Sequence, residues 1–502
     1  MKRIGLAAIL AAAVCLDAQD LKEFEKRVTE FTLNNGLHFI VVERHDAPVV
    51  SFHTYVNAGS VDDPTGQTGL AHMFEHMAFK GSETIGTKDW PAEKKALDEI
   101  EEIYGRLDAE RNKGPKADAS RVSLLEAQLK LAIDRAQAYV EPNEFSRIIE
   151  ENGGVGMNAD TSVDHTEYFY SLPSNRAELW FLLESQRFLH PIFREFYKER
   201  DVVMEENRMR VESSPQGRLL EDFNAAAFEA FPYRNPPGGW NSDTENLRVA
   251  EARAFFEKYY VPANIVIAVV GDIDPADARR LAERYFGPMA GRPLPPAIVT
   301  RDPEPSGPKT VVVESRNPPL LVIGYHRPDQ YDPDDPVFDV ISMILSSGRT
   351  GMMYKELVEQ KRLALEAEAI PTYPDGRYPN LFLFFLVPGR GHTVEENQKA
   401  LDDLLGRFLA TPVDGETLNR VKTKVRASVI RRLDSNAGLA SSLTLAYASY
   451  GDWRKLFTEI DDLNKVTAED VARVARECFV TKSRTVAYTV NPAPPPRAGG
   501  AR

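Results

Sequence analysis

Short stretches of alternating apolar and polar residues punctuate the chain. Leu37 to Val42, Val49 to Asn57 and Ile265 to Val270 read as strands in the front part, and Thr310 to Glu314, Leu320 to Tyr325 and Asn380 to Val387 in the rear. Long amphipathic helices separate them, with few strand-helix-strand crossovers of regular length. The pattern predicts an α+β protein, helices packed on largely antiparallel sheets. Another strand is expected where Gly153-Gly154 leads into Asn158-Ala159-Asp160-Thr161-Ser162 and the alternating Tyr168 and Tyr170.

The pattern also repeats. Val41 to Val50 resembles Val312 to Leu321, an offset of 271, and the helix-then-strand stretch ending Tyr260 to Val269 resembles the one ending Phe479 to Tyr488, an offset of 219. The offsets differ by 52, so the first of two homologous halves carries about that many residues the second lacks. The excess falls at 90–142, where Leu97, Ile100, Tyr104 and Leu107, then Val122, Leu125, Leu129 and Ile133, recur at helical spacing around Asn112-Lys113-Gly114-Pro115. A helical hairpin inserted into the first half is predicted, either a solvated arm or a contact for a dimer or substrate. The resulting division is a leader at 1–18, a first half at 19–290, a Pro-rich linker at 291–309, a second half at 310–490 and a disordered tail at 491–502.

Composition narrows the function classes. Of 502 residues 43% are hydrophobic and 27% charged, as in ordinary globular proteins, and the net charge of −14 argues against a general nucleic-acid binder. Two cysteines, Cys15 and Cys478, build neither a disulfide framework nor a Cys-rich zinc module, so any metal must sit on His and carboxylate. Lys2, Arg3 and the apolar run Ile4 to Leu16 read as a secretory leader cleaved after Ala18. Export to the periplasm of a Gram-negative bacterium is the expected location. No later stretch approaches 18 uninterrupted apolar residues, so no membrane span is expected.

His72-Met73-Phe74-Glu75-His76 places two imidazoles and a carboxylate at i, i+4 and i+3 of a predicted helix stopped by Gly81. Four-residue spacing lets both imidazoles reach one zinc ion, and Glu75 beside it can take a proton from water. With nine His and 75 acidic residues, chance gives roughly 0.02 such pentads per chain. A catalytic zinc needs a third ligand, and the predicted helix 193–210 offers Glu199 and Glu206 on one face, with Glu205 turned about 100° away. Glu206 is the expected ligand and Glu199 a carboxylate that orients or polarises a ligand from behind. The other histidines lack ligand spacing; His165, near Asn158 and Glu167, either lines the site or lies on ordinary polar surface.

These pieces resemble the pitrilysin/insulinase-type zinc peptidases, the group that includes mitochondrial processing peptidase. The matching segments are GLAHMFEHMAFKGS, ENGGVGMNADTSVDHTEYFYSLP, ERDVVMEEN and YYVPANIVIAVVGDID, with a weaker LVEQKRLAL in the second half. The resemblance implies His72, His76 and Glu206 as ligands of one zinc per chain and Glu75 as general base. It also implies that substrate backbone adds as a β-strand beside Asn158 and Ala159. Adding the offsets puts Met343, Ser346 and Ser347 opposite the metal motif and Val425 opposite Glu206, so the second half should hold no zinc. The family's second-half Arg and Tyr read here as Glu359 and Leu365. That departure, with a length half that of the single-chain members, implies a second subunit of the family that closes a chamber and donates both groups. A heterodimer is expected first and a homodimer second, with Arg362 as the local substitute. The sequence thus predicts a zinc endopeptidase acting on peptides or unfolded segments. Its rival is a noncatalytic peptide-binding or assembly subunit, against which the intact His72, Glu75, His76 and Glu206 speak.

Overall fold

The computed structural model describes residues 24–492, so the expected leader with Cys15 and the tail from residue 493 lie outside the described residues. Strands β1 (Val28–Thr32), β2 (His38–Glu43), β3 (Val49–Val56), β4 (Val155–Thr161), β5 (Thr166–Pro173) and β6 (Ile265–Gly271) form a six-stranded sheet ordered β1-β2-β6-β3-β5-β4. Strands β7 (Lys309–Glu314), β8 (Leu321–Arg327), β9 (Ala364–Tyr373), β10 (Asn380–Pro388) and β11 (Arg484–Val490) form a second, ordered β7-β11-β8-β10-β9. Without β1, the first order maps strand for strand onto the second. Among the described residues each sheet has one parallel pair, β2 with β6 and β7 with β11, the other pairings being antiparallel. The α+β class and the duplication are as the hydrophobic pattern predicts.

Nine helices carry the argument: α1 (Leu70–Met77), α2 (Trp90–Arg111), α3 (Ala119–Gln137), α4 (Phe196–Asn207), α5 (Pro215–Ala227), α6 (Val249–Tyr259), α7 (Asp335–Ser346), α8 (Gly415–Asp434) and α9 (Asn436–Tyr450). Helices α2 and α3 are the inserted hairpin, linked at its exposed surface by Arg111–Glu126 and Arg135–Glu99 ion pairs. The alternation of β2 decides how its sheet is covered. Phe39 and Val41 face the first half's own core with Phe52, Phe74, Trp180 and Phe181. Ile40 and Val42 face the other way and, with Val266, Ala268 and Val270, pack on Leu439, Ala440 and Leu443 of α9, a second-half helix. Both faces are buried, which is why β2 and β6 read as nearly unbroken apolar runs.

The exchange is reciprocal. Helix α5 of the first half lays Leu219, Phe223 and Ala227 on Val322, Leu381, Leu383 and Ala487 of the second sheet. Gly324 of β8 is required there, since a Cβ would stand 2.6 Å from the Phe223 ring. A polar latch completes the junction. Arg377, on the loop between β9 and β10, donates to Asn57 Oδ1 (2.6 Å) and Asp62 Oδ2 (3.2 Å), and its backbone N–H donates to Asp164 Oδ2 (2.9 Å). The Tyr233 hydroxyl donates to the same Asp164 carboxylate at 2.7 Å.

Three local features differ from the expectation. Helix α1 ends at Met77, four residues before Gly81. The stretch 193–210 is not one helix: α4 starts only after Glu195, which holds a left-handed φ of 59°, and gives way after Asn207 to a π-helical turn over Arg208–Glu212. Strands β1 and β9, absent from the sequence reading, sit at sheet edges.

Candidate metal centre

Helix α1 is short and has to be started firmly. Gly69 caps it at φ 93° with a Cβ position 2.8 Å from the Gly238 carbonyl oxygen, so only glycine fits. The buried Asp63 carboxylate accepts the N–H groups of Gly69 (2.7 Å) and Ala71 (2.9 Å), which have no partner inside the helix. Burial pushes the Asp63 carboxyl well above the usual range. Beyond the helix, Arg194 holds the following turn through the carbonyls of Ser82 (3.1 Å) and Ile85 (3.0 Å) while pairing with buried Glu93.

The helix turns His72 and His76 toward α4. His72 Nε2 lies 3.6 Å from Glu206 Oε2, and His76 Nε2 lies 3.8 Å from Glu206 Oε1. One ligating atom from each of the three fits within 4.8 Å, and among the described residues no other His, Cys, Asp and Glu group does so. The rings stand at 82° to each other. Glu206 Oε2, which faces His72 Nε2, is buried without a hydrogen-bond partner, its nearest cation being Arg210 at 3.5 Å, as expected of a carboxylate placed for a cation rather than for internal bonding. Burial first, then the fields of His76 and Arg210, lower the His72 pKa to about 3, which keeps the imidazole neutral and its lone pair available. Two imidazoles and a carboxylate are the donor set zinc accepts, with a fourth position left for water or substrate.

Behind the histidines a chain of charges sets orientation. Glu199 Oε2 accepts from His76 Nδ1 at 3.3 Å, which orients the ring with Nε2 toward Glu206. Lys80 Nζ donates to Glu199 (2.5 Å) and to Glu195 (3.3 Å). Burial acts to raise the Glu199 pKa, but His76 and Lys80 outweigh it and hold the carboxyl below its ordinary value. Glu205 turns away to an exposed pair with Arg208 (2.5 Å). Glu75 sits one residue before His76, and its Oε2 accepts the Thr161 hydroxyl at 2.6 Å. Burial raises its pKa above the usual glutamate value, against the pull of Thr161 and His76.

Thr161 ends β4, the sheet edge that also carries Asn158, exposed, and Ala159, half-buried. The edge strand and the carboxylate beside the metal cluster are thereby joined by one hydrogen bond. His165 is half-buried. It stacks on Tyr55 at 4.6 Å and bonds Ser162 Oγ at 2.9 Å, inside the polar junction of the two halves. Thr161, Lys80, Glu195 and Asp63 were not singled out by sequence reasoning. Only Asp63, in a Gly- and Asp-rich turn before the motif, carries a local signal.

In the second half α7 and α8 pair as α1 and α4 do. Ser346 Oγ donates to the Ala369 carbonyl at 3.1 Å, Lys424 Nζ to Ser347 Oγ at 3.0 Å, and Met343 and Val425 pack against the second core. A duplicated sheet-and-helix chain with H-x-x-E-H facing a glutamate in one half only defines the inverted zinc-peptidase class of fold. The chain belongs to the insulinase family of peptidases, family M16: the insulinase model matches residues 39–121 and 123–238, and the model of the M16 inactive domain matches 246–425. A zinc protease, PqqE, of Helicobacter pylori is similar at 25% identity over 491 residues, 96% of this chain and 97% of the relative. A protein named as a probable mitochondrial-processing peptidase subunit beta of Schizosaccharomyces pombe is 23% identical over 493 residues, 91% of this chain and 89% of the relative. The crystal structure of a protease from Helicobacter pylori superposes with a TM-score of 0.77 at 24% identity, covering 92% of this chain and 99% of that one, a likeness of fold.

Proposed function

We propose that this chain is a zinc-dependent endopeptidase acting on peptides or unfolded protein segments. The observation that carries the reading is the convergence of His72, His76 and Glu206 beside a Glu75 tied to the edge strand. Relatives named as zinc proteases support it. The inactive-domain match covers 246–425, from the end of the first half into the second, and does not include residues 72 to 206.

His72, His76 and Glu206 hold the ion, and Glu199 keeps His76 in the ligating tautomer. Zinc, when bound, supplies Lewis acidity that lowers the pKa of water and polarises a carbonyl. Substrate backbone lies against β4 at Asn158 and Ala159, extending the sheet by one strand. Glu75 takes the proton of the attacking water and returns it to the leaving amine as the peptide bond breaks. Thr161 fixes the Glu75 carboxylate relative to that strand, so base and substrate share one frame.

The second subunit follows from Glu359 and Leu365, both exposed where an Arg and a Tyr are expected. A partner of the same family, heteromeric first and homomeric second, supplies those donors to the developing oxyanion. One such donor is worth about 10²–10³ in rate. Relatives named as subunits of a processing peptidase support a two-chain assembly. Export to the periplasm rests on the apolar run Ile4 to Leu16.

The test is metal content together with cleavage of a quenched fluorescent peptide, with and without a candidate partner. One zinc per chain, loss of cleavage on chelation and recovery on zinc addition are expected, with the rate saturating at one partner per chain. Cleavage that survives complete zinc removal overturns the reading. Full activity from a strictly monomeric preparation overturns the partner.

A further inference from the structure

Strand β5 presents two faces. Tyr168, Tyr170 and Leu172 enter the first core, so Glu167, Phe169 and Ser171 point the other way, toward the side covered by α9. Helix α9 lies over β6 and β3 and reaches β5 only at its margin, which leaves a cavity of about 420 Å³ between its first two turns and the start of β4. That volume is within the roughly 300–1,000 Å³ typical of ligand sites. The floor is the half-buried Phe169 ring, stacked on His53 at 5.7 Å and 5°. The charges at the floor are matched: Glu167 Oε2 stands 3.1 Å from His53 Nε2, and His53 Nδ1 lies 2.9 Å from Thr444 Oγ1. Ser171 Oγ is likewise satisfied by Ser51 Oγ at 2.8 Å. What remains for an occupant is apolar surface: the open face of Phe169, Ala437, and Val155, which is 63% exposed.

The rim is built from small residues. Ala437 and Ser441 of α9 stand on one side and Gly156 of β4 on the other. Gly156 holds a left-handed φ of 65° where the pairing of β4 with β5 shifts between Val155 and Asn158, and a Cβ there would meet nothing within 4 Å. The sheet edge is open at that point, and a side chain from a strand added outside β4 can lean across Gly156 onto Phe169. Successive side chains of an added strand point to opposite faces. One set faces α1, as Ala159 and Thr161 of β4 do, and the other faces this cavity, as Asn158 opposite Phe169 does. Thr161, which holds Glu75, lies five residues along β4 from Gly156, about 16 Å at roughly 3.3 Å per residue. We propose that the cavity is a side-chain subsite for the substrate, taking a large apolar residue about five positions from the bond that faces Glu75. An aromatic residue suits it better than an aliphatic one, because the floor offers a ring face and aromatic pairs gain beyond their buried area. The subsite rests on the addition of substrate to β4.

The probe is a fluorescein-labelled peptide of Ser, Gln and Thr carrying a single Phe, with Ala in its place as the control. Binding is read by anisotropy on the Glu75→Gln chain, in which the peptide stays intact, and cut sites by mass spectrometry on the zinc-loaded parent. The Phe peptide should bind about tenfold more tightly than the Ala peptide, as burial of one large apolar side chain implies. Moving the Phe along the peptide should move the cut with it, at a constant offset of about five residues on one side. Ser441→Phe, which fills the cavity, should erase both effects while cleavage of the Ala peptide persists. Ser441→Leu replaces it if thermal unfolding shows that the larger ring prevents folding. Equal binding of the two peptides, a cut site that ignores the Phe, or a preference that survives in the folded, filled variant overturns the subsite. So does a change in self-association of the Ser441→Phe chain in sedimentation with the peptide preference intact, which would make the cavity a subunit contact. Phe-dependent binding without any cleavage by the parent would instead overturn the peptidase reading and support the cavity as a peptide site.

Discussion

The two halves share a strand order and differ in what their matching helices carry. In the first, α1 and α4 bring together two imidazoles and a carboxylate whose ligating atoms make no bond to each other shorter than 3.6 Å. In the second, α7 and α8 place serines and a lysine in the corresponding region, each satisfied locally, as Ser346 is by Ala369 and Lys424 by Ser347. One half keeps polar groups buried without partners, which costs stability unless a ligand arrives. The other has spent the same positions on ordinary hydrogen bonds and apolar packing. Duplication thus supplied two equal frames, and only one bears the local frustration that binding chemistry needs.

The comparison breaks most visibly at the base. Glu75→Gln should lower turnover by about 10²–10⁴ while zinc content stays at one per chain, measured by peptide cleavage and metal analysis on the same sample. Loss of zinc instead would mean that Glu75 is a ligand. Cutting the link between the halves comes next. Arg377→Met leaves Asp62 and Asp164 buried without their cation and should cost about 3–5 kcal/mol in urea unfolding.

That cost should depend on pH. Burial first, then the nearby Asp375, raise the Asp164 carboxyl to about 7 in the folded chain. A carboxyl raised in this way contributes stability fully present below its unfolded value near 3.8 and lost as pH rises through about 7. The Arg377→Met chain should therefore be least stable at pH 8 and recover part of its loss at pH 5. A loss that grows on acidification would refute the assignment.

Smaller effects sharpen the contrast within α4. Glu199→Gln should weaken zinc by about 10–100-fold through His76, and Glu206→Gln by more. Glu205→Gln should leave zinc affinity unchanged, because its carboxylate serves only Arg208. Equal losses at 205 and 206 would undo the helical-face argument. The smallest change is expected at Ser346→Ala, about 1 kcal/mol or less of stability and no change in cleavage.

What the sequence made legible follows from where each signal is stored. His72, Glu75 and His76 are local on α1, and the i, i+3, i+4 pattern exposes them, whereas Glu206 was reached only through a second helix. Central strands such as β2 and β6 announce themselves because both faces are buried. β1 and β9 hide because their apolar pattern is weak: only Phe31 of β1 is fully covered, while β9 carries exposed Glu366 and Glu368 and a proline. Lys80, Thr161 and Glu195 act through contacts made across the fold, and no spacing rule encodes those. The left-handed turn at Glu195 was hidden for a related reason: the conformation that usually signals glycine is held here by a glutamate tethered to Lys80.

The exchanged helices α5 and α9 have a consequence for how the chain is made. As synthesis proceeds, β2 and β6 emerge with Ile40, Val42, Val266 and Val270 uncovered, and their cover is not made until residue 436 onward. The first half therefore cannot reach its native state alone, and the apolar face it shows in the interval is a template for aggregation. Cutting the chain between β6 and β7 would not release two independent domains, because each product would lack the lid of its own sheet. Unfolding should accordingly be one cooperative event, and the folding rate should be limited by the longest-range docking step rather than by either sheet.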